Sequence, residues 1–180
     1  MKIILKSIAI VLGVILLDQL AKGIILLLLT GGMPPWAAPA FELIPYPYLL
    51  ARVTAFFNIV FTWNPGTSFS LFRNLGESAP LVIIVLSGVI IGAIGYYLFA
   101  RSRPGMEKWG LALIVGGAMG NLIDRVRFGA VIDFLDFHVN NWHWPAFNVA
   151  DMAITIGVGL LILNWILIQK ESEVKKKIKK

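Results

Sequence analysis

Four long apolar stretches constrain the fold of this 180-residue chain more than any other feature of its sequence. They cover about Ile3–Leu29, Ala79–Ala100, residues 107–125 and residues 149–169. Each is long enough to cross a bilayer as a helix, which takes roughly 17–25 mostly apolar residues. A membrane β-barrel would instead show alternating segments of about 10 residues. The sequence therefore predicts an all-α membrane protein with four transmembrane helices, forming a single integral membrane domain over residues 1–180.

Composition supports the membrane class and excludes several others. Hydrophobic residues make up 58% of the chain and charged residues 14%, which excludes an intrinsically disordered protein. The chain contains no Cys, so disulfides, thiolate nucleophiles and thiolate metal sites are excluded. Its two His are too few for an all-His catalytic zinc site.

The basic residues indicate how the helices are oriented. Eleven Lys and Arg lie near the N-terminus, between the second and third helices, and in the tail at residues 170–180, against four on the outer side: Arg52, Arg73, Arg125 and Arg127. The positive-inside rule then places both termini in the cytoplasm. The basic tail favours attraction to anionic lipid over nucleic-acid binding. Six tryptophans near the predicted helix ends agree with interfacial belts: Trp36, Trp63, Trp109, Trp142, Trp144 and Trp165.

The first outer loop predicts a small β structure on the outer membrane surface. Five prolines in residues 30–55 exclude a regular helix or a central strand there. Residues 56–64 alternate loosely between apolar and polar, and a turn at residues 64–66 leads into residues 67–72. We expect an extracytoplasmic β-hairpin or small sheet cradle, and a short second outer loop at about residues 126–148 that is rich in Trp, His and Asp.

Charged side chains within apolar segments are costly, so each is a candidate for function or for pairing. Asp18 and Lys22 lie one helical turn apart, and an ion pair between them is at least as well supported as a ligand role. Asp124 is expected to anchor the end of the third helix. Its neighbour Arg125 has the fork geometry that binds a phosphate or a backbone carbonyl. Asp136 is expected to be a solvated loop carboxylate.

Asp133 and Asp151 are the strongest candidates for catalysis. Asp151 lies in the first turn of the fourth helix behind Asn148, a good N-cap residue, where the helix dipole favours a charged carboxylate. Asp133 lies between Ile132 and Phe134, an apolar setting that favours a protonated carboxyl. Because the third and fourth helices are joined on the outer side, the two groups can approach each other and share one proton. Such a pair can activate water and protonate a leaving amine.

Two hypotheses from other classes remain open at this point. Asp18, Lys22 and Asp151 could line the ion path of a small transporter or channel, a role that has little use for Asp133. A scaffold without catalysis could instead hold partners through its glycine faces and aromatic loop. The glycines in residues 88–92 and 116–120 are themselves best explained by close helix packing.

Five blocks of sequence resemble those of the lipoprotein signal peptidases (signal peptidase II), which are membrane aspartyl peptidases of bacteria. Residues 18–22 (DQLAK) are similar to the family's DQxxK block, and residues 64–70 (NPGTSFS) to its N-x-G-x-x-F block. The third helix carries a GGAxGNxxDR block at residues 116–125. VxDF and FNxAD blocks follow at residues 131–134 and 147–151. The blocks occur in family order over nearly the whole chain, which makes the match specific.

The resemblance implies an endopeptidase that removes the signal peptide of diacylglyceryl-modified prolipoproteins before their lipidated cysteine. It implies a catalytic dyad of Asp133 and Asp151, with no metal or organic cofactor. It also implies a location in the bacterial cytoplasmic (inner) membrane, an active site at the outer face, and inhibition by globomycin. We expect a monomer that contacts membrane lipid and no nucleic acid. The substrate-binding and supporting residues implied by the resemblance are Asp18, Lys22, Asn64, Asn121, Arg125 and Asn148.

Overall fold

The computed structural model of the protein describes residues 2–31, 48–66 and 78–178. The helices are α1 (Lys2–Leu29), α2 (Ala79–Ala100), α3 (Met106–Phe128) and α4 (Val149–Ile178). The strands are β1 (Tyr48–Arg52), β2 (Phe57–Asn64), β3 (Val131–Val139) and β4 (Trp142–His143).

Three of these helices, α1, α2 and α4, are long and apolar enough to cross a membrane by length and composition. Their large apolar side chains point outward to an extent that water would not tolerate: Leu17 is 63% exposed and Leu81 64%. These helices confirm the predicted spans at about residues 3–29, 79–100 and 149–169. α4 continues past residue 169 to Ile178, because Lys and Glu are good helix formers and a salt bridge links Glu171 with Lys175.

α3 lies at the centre of the bundle and packs against α1, α2 and α4. It ends at Phe128, three residues beyond the predicted boundary, where Gly129 adopts a left-handed conformation and donates its N–H to the Arg125 carbonyl. A side chain at Gly117 would collide with the Ala150 carbonyl of α4, so the predicted close packing is confirmed there. It is wrong for Gly88 and Gly92, which have no described atom within 4 Å of a would-be Cβ.

The strands form one antiparallel sheet in the order β1-β2-β3-β4. The predicted second outer loop contains two of these strands, at residues 131–139 and 142–143, which are rich in the β-branched and aromatic residues that favour this conformation. β2 pairs with β1 and β3. The proposed hairpin partner at residues 67–72 lies outside the described residues.

One face of the sheet packs against α1 and forms the main core. Phe61, Trp63 and Ile132 are each at most 2% exposed and pack with Leu26 of α1. Trp63 is thus a core residue, and its predicted place in an interfacial belt is wrong. By contrast, Trp142 at the tip of the sheet is 62% exposed. This packing fixes β2 and β3, and the polar residues that they carry, relative to the helices.

Candidate active site

Asp133 is the third residue of β3, and its side chain is buried against two amides. Its Oδ2 accepts a hydrogen bond from Asn64 Nδ2 at 3.0 Å, and its Oδ1 accepts one from Asn148 Nδ2 at 2.6 Å. Burial raises the pKa of the Asp133 carboxyl to about 7, and the negative charge of Asp151 adds to the rise. A substantial share of this group is therefore protonated near neutral pH.

Asp151 is held by the cap of α4. The Asn148 side-chain Oδ1 accepts the Asp151 N–H at 3.0 Å, and the Asp151 Oδ2 accepts the Asn148 N–H at 3.2 Å. This reciprocal arrangement is a capping box, and it follows from the N-cap residue that the sequence predicts. The other carboxyl oxygen of Asp151 accepts a hydrogen bond from Asn121 Nδ2 at 2.8 Å. Asp151 is partly exposed, so solvent reaches the pair from its side.

Asn148 connects the two carboxyl groups. Its side-chain amide contacts Asp133 while its backbone N–H contacts Asp151, and the same amide also donates to Asn121 Oδ1 at 3.2 Å. The structure thus brings together Asp133, Asp151, and the three asparagines that the sequence singles out. No cluster of three or more His, Cys, Asp or Glu that could hold a metal ion occurs in the described ranges.

Lys22 of α1 lies between two buried carboxylates, close to the Asp133 and Asp151 pair. Its Nζ is 2.8 Å from Asp18 Oδ2 and 2.7 Å from Asp124 Oδ2, and it donates to Asn121 Oδ1 at 3.1 Å. The predicted ion pair between Asp18 and Lys22 is therefore confirmed. The expectation that Asp124 only anchors a helix end at the interface is wrong: it is 1% exposed and pairs with α1.

The two carboxylates of this ion cluster, Asp18 and Asp124, also accept hydrogen bonds from the backbone next to the candidate catalytic aspartates. Asp18 Oδ1 accepts the Ala150 N–H at 2.9 Å, one residue before Asp151. Asp124 Oδ2 accepts the Ile132 N–H at 3.2 Å, one residue before Asp133. The cluster therefore acts on the site through the backbone.

Arg125 is turned toward the site from α3. Its charge interacts with those of Asp133 and Asp151, and its NH1 donates to the Asn121 carbonyl at 3.4 Å. Its buried Nε has no hydrogen-bond partner among the described residues. Gly66 lies beside the guanidinium in a turn with φ +76°, closed by its N–H donating to Asn64 Oδ1 at 2.9 Å. The guanidinium thus retains a free donor for a ligand.

Asp136 lies in a second polar cluster, farther along β3. It is 5% exposed, accepts a hydrogen bond from Asn58 Nδ2 at 2.9 Å and lies 2.9 Å from His143 Nδ1. The prediction of a solvated loop carboxylate is therefore wrong. Burial by itself would raise the pKa of Asp136, but the hydrogen bonds with Asn58 and His143 outweigh it and hold the pKa below its ordinary value. His138 stacks on His143 with ring centroids 5.0 Å apart.

Two residues of these networks were not singled out by the sequence. Gln19 donates to the carboxylates of Asp18 and Asp124 and to the Gly120 carbonyl. Its only signal was its place inside the DQxxK block. Asn58 is a polar residue in an otherwise apolar strand, and that interruption of the pattern is the signal that marks it.

Comparisons with known proteins agree with the resemblance. The family model described as Signal peptidase (SPase) II matches residues 10–167. A lipoprotein signal peptidase of Anaplasma phagocytophilum is 50% identical over 101 residues, which cover 56% of this chain and 64% of that protein, just under two thirds of its length. That of Syntrophotalea carbinolica is 40% identical over 150 residues, which cover 83% of this chain and 84% of that protein.

A solved structure described as a bacterial membrane enzyme has the same fold. It matches with a TM-score of 0.66 and 29% identity, over 89% of this chain and 92% of that one. The matched region of the family model includes every site residue described above, from Asp18 on α1 to Asp151 on α4. From this extended match, and from relatives aligned over most of their length, it follows that the chain belongs to the signal peptidase II family.

Proposed function

We propose that this protein is an aspartic endopeptidase of the bacterial inner membrane that removes the signal peptide from diacylglyceryl-modified prolipoproteins. Cleavage occurs on the N-terminal side of the lipidated cysteine. Membership of the signal peptidase II family supports the substrate class. One observation carries the catalytic assignment: Asn148 contacts both carboxyls. It donates to Asp133 from its side-chain amide and to Asp151 from its backbone N–H.

The environments of the two carboxyls support different roles. Asp133 is 1% exposed, and its raised pKa of about 7 favours the protonated form. Asp151 is partly exposed in the first turn of α4, where the helix dipole stabilises a negative charge. Asp151 is therefore the initial base and Asp133 the initial acid.

The reaction consists of two proton-coupled steps. Asp151 removes a proton from water, whose oxygen attacks the scissile carbonyl carbon while Asp133 donates its proton to the carbonyl oxygen. The product is a tetrahedral diol. Asp151 then donates its new proton to the amide nitrogen, and Asp133 takes a proton back from the diol as the carbon–nitrogen bond breaks. Both carboxyls return to their initial states, and no cofactor takes part.

The remaining polar groups of the site bind and orient the substrate. The buried Nε of Arg125, which has no hydrogen-bond partner in the part of the chain that the structure describes, can donate to a substrate carbonyl. Asn64, Asn121 and Asn148 orient the two catalytic carboxyls through their side-chain amides. The diacylglycerol lies in lipid against the apolar faces of the helices. The same groups form the site that the family's inhibitor globomycin occupies, and one chain supplies all of them, as a monomer requires.

α3 completes a bundle of four transmembrane helices. Its 23 residues span about 35 Å at 1.5 Å per residue, enough for the hydrocarbon core, and its charged ends lie at the two surfaces. The termini and the exposed Arg101 and Arg103 lie on the cytoplasmic side, as the positive-inside rule requires. The sheet and the aspartate pair then lie at the outer face. Fusions of a topology reporter to residue 103 and to residue 140 test this orientation, with cytoplasmic activity expected only for the first.

Cleavage of a defined substrate tests the function. The purified protein is incubated with a prolipoprotein in its diacylglyceryl-modified and unmodified forms, and the products are identified by mass spectrometry. We expect cleavage of the modified form only, with a new N-terminus at the lipidated cysteine. Equal cleavage of both forms would contradict the substrate assignment. No cleavage of the modified form would contradict the peptidase function itself.

A further inference from the structure

A groove lined by both polar and apolar residues runs along the sheet, and it includes Thr62, which pairs with Asp133 in the β2–β3 ladder. Its volume is about 860 Å³, within the range of pockets that bind ligands of a few residues. Alternate residues of β2, Asn58, Val60 and Thr62, line its floor. The next residue in this alternation, Asn64, donates its side-chain hydrogen bond to Asp133. The groove therefore begins at Thr62, two residues along β2 from the asparagine that contacts Asp133.

The groove offers unused hydrogen-bonding atoms to a ligand. Asn58 is only 7% exposed, and its buried Oδ1 has no hydrogen-bond partner among the described residues. Both ring nitrogens of His138, which also lines the groove, are buried and likewise without a partner in the described ranges. Buried polar atoms are normally hydrogen-bonded, so these atoms indicate an occupant that supplies the missing contacts.

We propose that this groove binds the first residues of the mature lipoprotein, on the C-terminal side of the scissile bond, in an extended conformation. This inference rests on the proposed function. The distance from Thr62 to Asn58 is about 13 Å at 3.3 Å per residue, which accommodates about four extended residues. Backbone N–H groups of that segment donate to Asn58 Oδ1 and to His138.

The chemistry of the groove distinguishes this occupant from the other parts of the substrate. The signal peptide is apolar and stays with the membrane-spanning helices, and an acyl chain would leave the charged and unpartnered polar groups of the groove without hydrogen bonds. The groove instead contains Asp136, His143 and Arg52 among its lining residues. Arg52 lies opposite Asn58 on β1, at the far end of the groove, and its side chain is exposed. A carboxylate on the mature segment at about the fourth to seventh residue would reach this arginine.

A charge-reversal experiment tests the contact with Arg52. Two diacylglyceryl-modified substrates share a signal peptide and cysteine but carry either acidic or basic residues at about positions four to seven after the cysteine. We expect wild type to prefer the acidic substrate, through KM, by about twofold to fivefold, the range for one exposed ion pair. Arg52→Glu should reverse the preference. Arg127→Glu, which changes an exposed arginine outside the groove, should leave it unchanged.

A steric block tests the groove itself. Val60→Trp fills its floor, whereas Val139→Trp places the same bulk on an exposed strand position that does not line it. With a substrate that ends shortly after the cysteine, all three proteins should have equal kcat and KM. With a substrate that continues for ten residues, the indole of Val60→Trp should keep the mature segment from the hydrogen-bonding atoms of the groove. KM should then rise by about two- to tenfold, which is the effect of losing one hydrogen bond.

The outcomes separate the inference from the function on which it rests. Cleavage of both substrate lengths with identical constants by wild type and Val60→Trp, together with no charge preference, would overturn the groove assignment and leave the peptidase intact. An equal loss on both lengths in Val60→Trp would also overturn it, because the damage would then lie at the aspartate pair. Failure of wild type to cleave any lipidated substrate would overturn both.

Discussion

The replacement of Lys22 by Met is the most informative perturbation of the structure outside the aspartate pair. Lys22 is 2% exposed and lies within 2.8 Å of Asp18 and 2.7 Å of Asp124, whose side chains are equally buried. Met keeps most of the apolar stem but removes the cation, which leaves two carboxylates in a low-dielectric environment. Breaking such a buried pair from one side destabilises a protein by about 3–5 kcal/mol. We expect Lys22→Met to lose that much free energy of unfolding.

A triple variant identifies the cause of this loss. When Asp18→Asn and Asp124→Asn are added to Lys22→Met, the cluster carries no charge, and removing a whole buried ion group is often close to neutral. Each Asn keeps an oxygen that can accept the N–H of Ala150 or of Ile132. The triple variant should therefore regain most of the stability of the wild type and more activity than the single variant.

Equilibrium unfolding in mixed micelles, followed by circular dichroism, measures these differences, and cleavage assays on the same preparations report the effect on the site. A loss smaller than about 1 kcal/mol for Lys22→Met would refute the reasoning, because exposed pairs contribute no more than that. A triple variant as unstable as the single one would also refute it, since the damage would then come from lost packing.

Three further predictions follow from the same geometry. The rate of cleavage should fall as pH rises through about 7, because Asp133 must carry a proton. Since the pKa of Asp133 is raised in the folded protein, the wild type should also lose stability relative to Asp133→Asn as pH rises from about 4 to about 7. Thermal unfolding of both proteins at several pH values measures this difference. Asn148→Ser should retain the cap of α4 but lose the buried amide that donates to Asp133 and to the Ile132 carbonyl, so stability should fall by about 1–3 kcal/mol and kcat/KM by about 10- to 150-fold. Asn148→Ala should lose about 0.5–2 kcal/mol more, because the cap is lost as well. Gly117→Ala should lower the free energy of unfolding by about 1–3 kcal/mol, because the new methyl group collides with the Ala150 carbonyl. Gly88→Ala should leave that free energy unchanged or raise it. Equal effects of the two substitutions on unfolding would contradict the packing of α3 on α4.

The sequence predicted the parts of the fold that depend on local pattern. Continuous apolar runs give the positions of α1, α2 and α4, and an N-cap residue with an acidic residue three positions later gives the start of α4 at Asn148 and Asp151. The ion pair of Asp18 with Lys22 follows from helical spacing alone. These features need no knowledge of distant contacts.

Features that depend on tertiary contacts were missed. Asp124 was assigned to a helix end because its partner, Lys22, is about a hundred positions away in the chain. The sequence predicts a solvated Asp136, since its partner Asn58 belongs to another strand that the local pattern does not reveal. The strand at residues 131–139 lies in a segment that the sequence predicts as an outer loop, and its pairing with the distant β2 is what stabilises it. Periodicity reports on one element at a time and cannot supply these partners.

The measurement that tests the central claim most directly compares four proteins on one lipidated prolipoprotein: wild type, Asp133→Asn, Asp151→Asn and Asp124→Asn. We expect the first two substitutions to abolish cleavage while the proteins remain folded, as shown by circular dichroism and by binding of the uncleaved substrate. Asp124→Asn should lose stability but retain measurable cleavage, because Asp124 acts through Lys22 and the Ile132 backbone. Full activity in Asp133→Asn or Asp151→Asn, or complete loss of activity in a folded Asp124→Asn alone, would contradict the assignment of Asp133 and Asp151 as the catalytic pair.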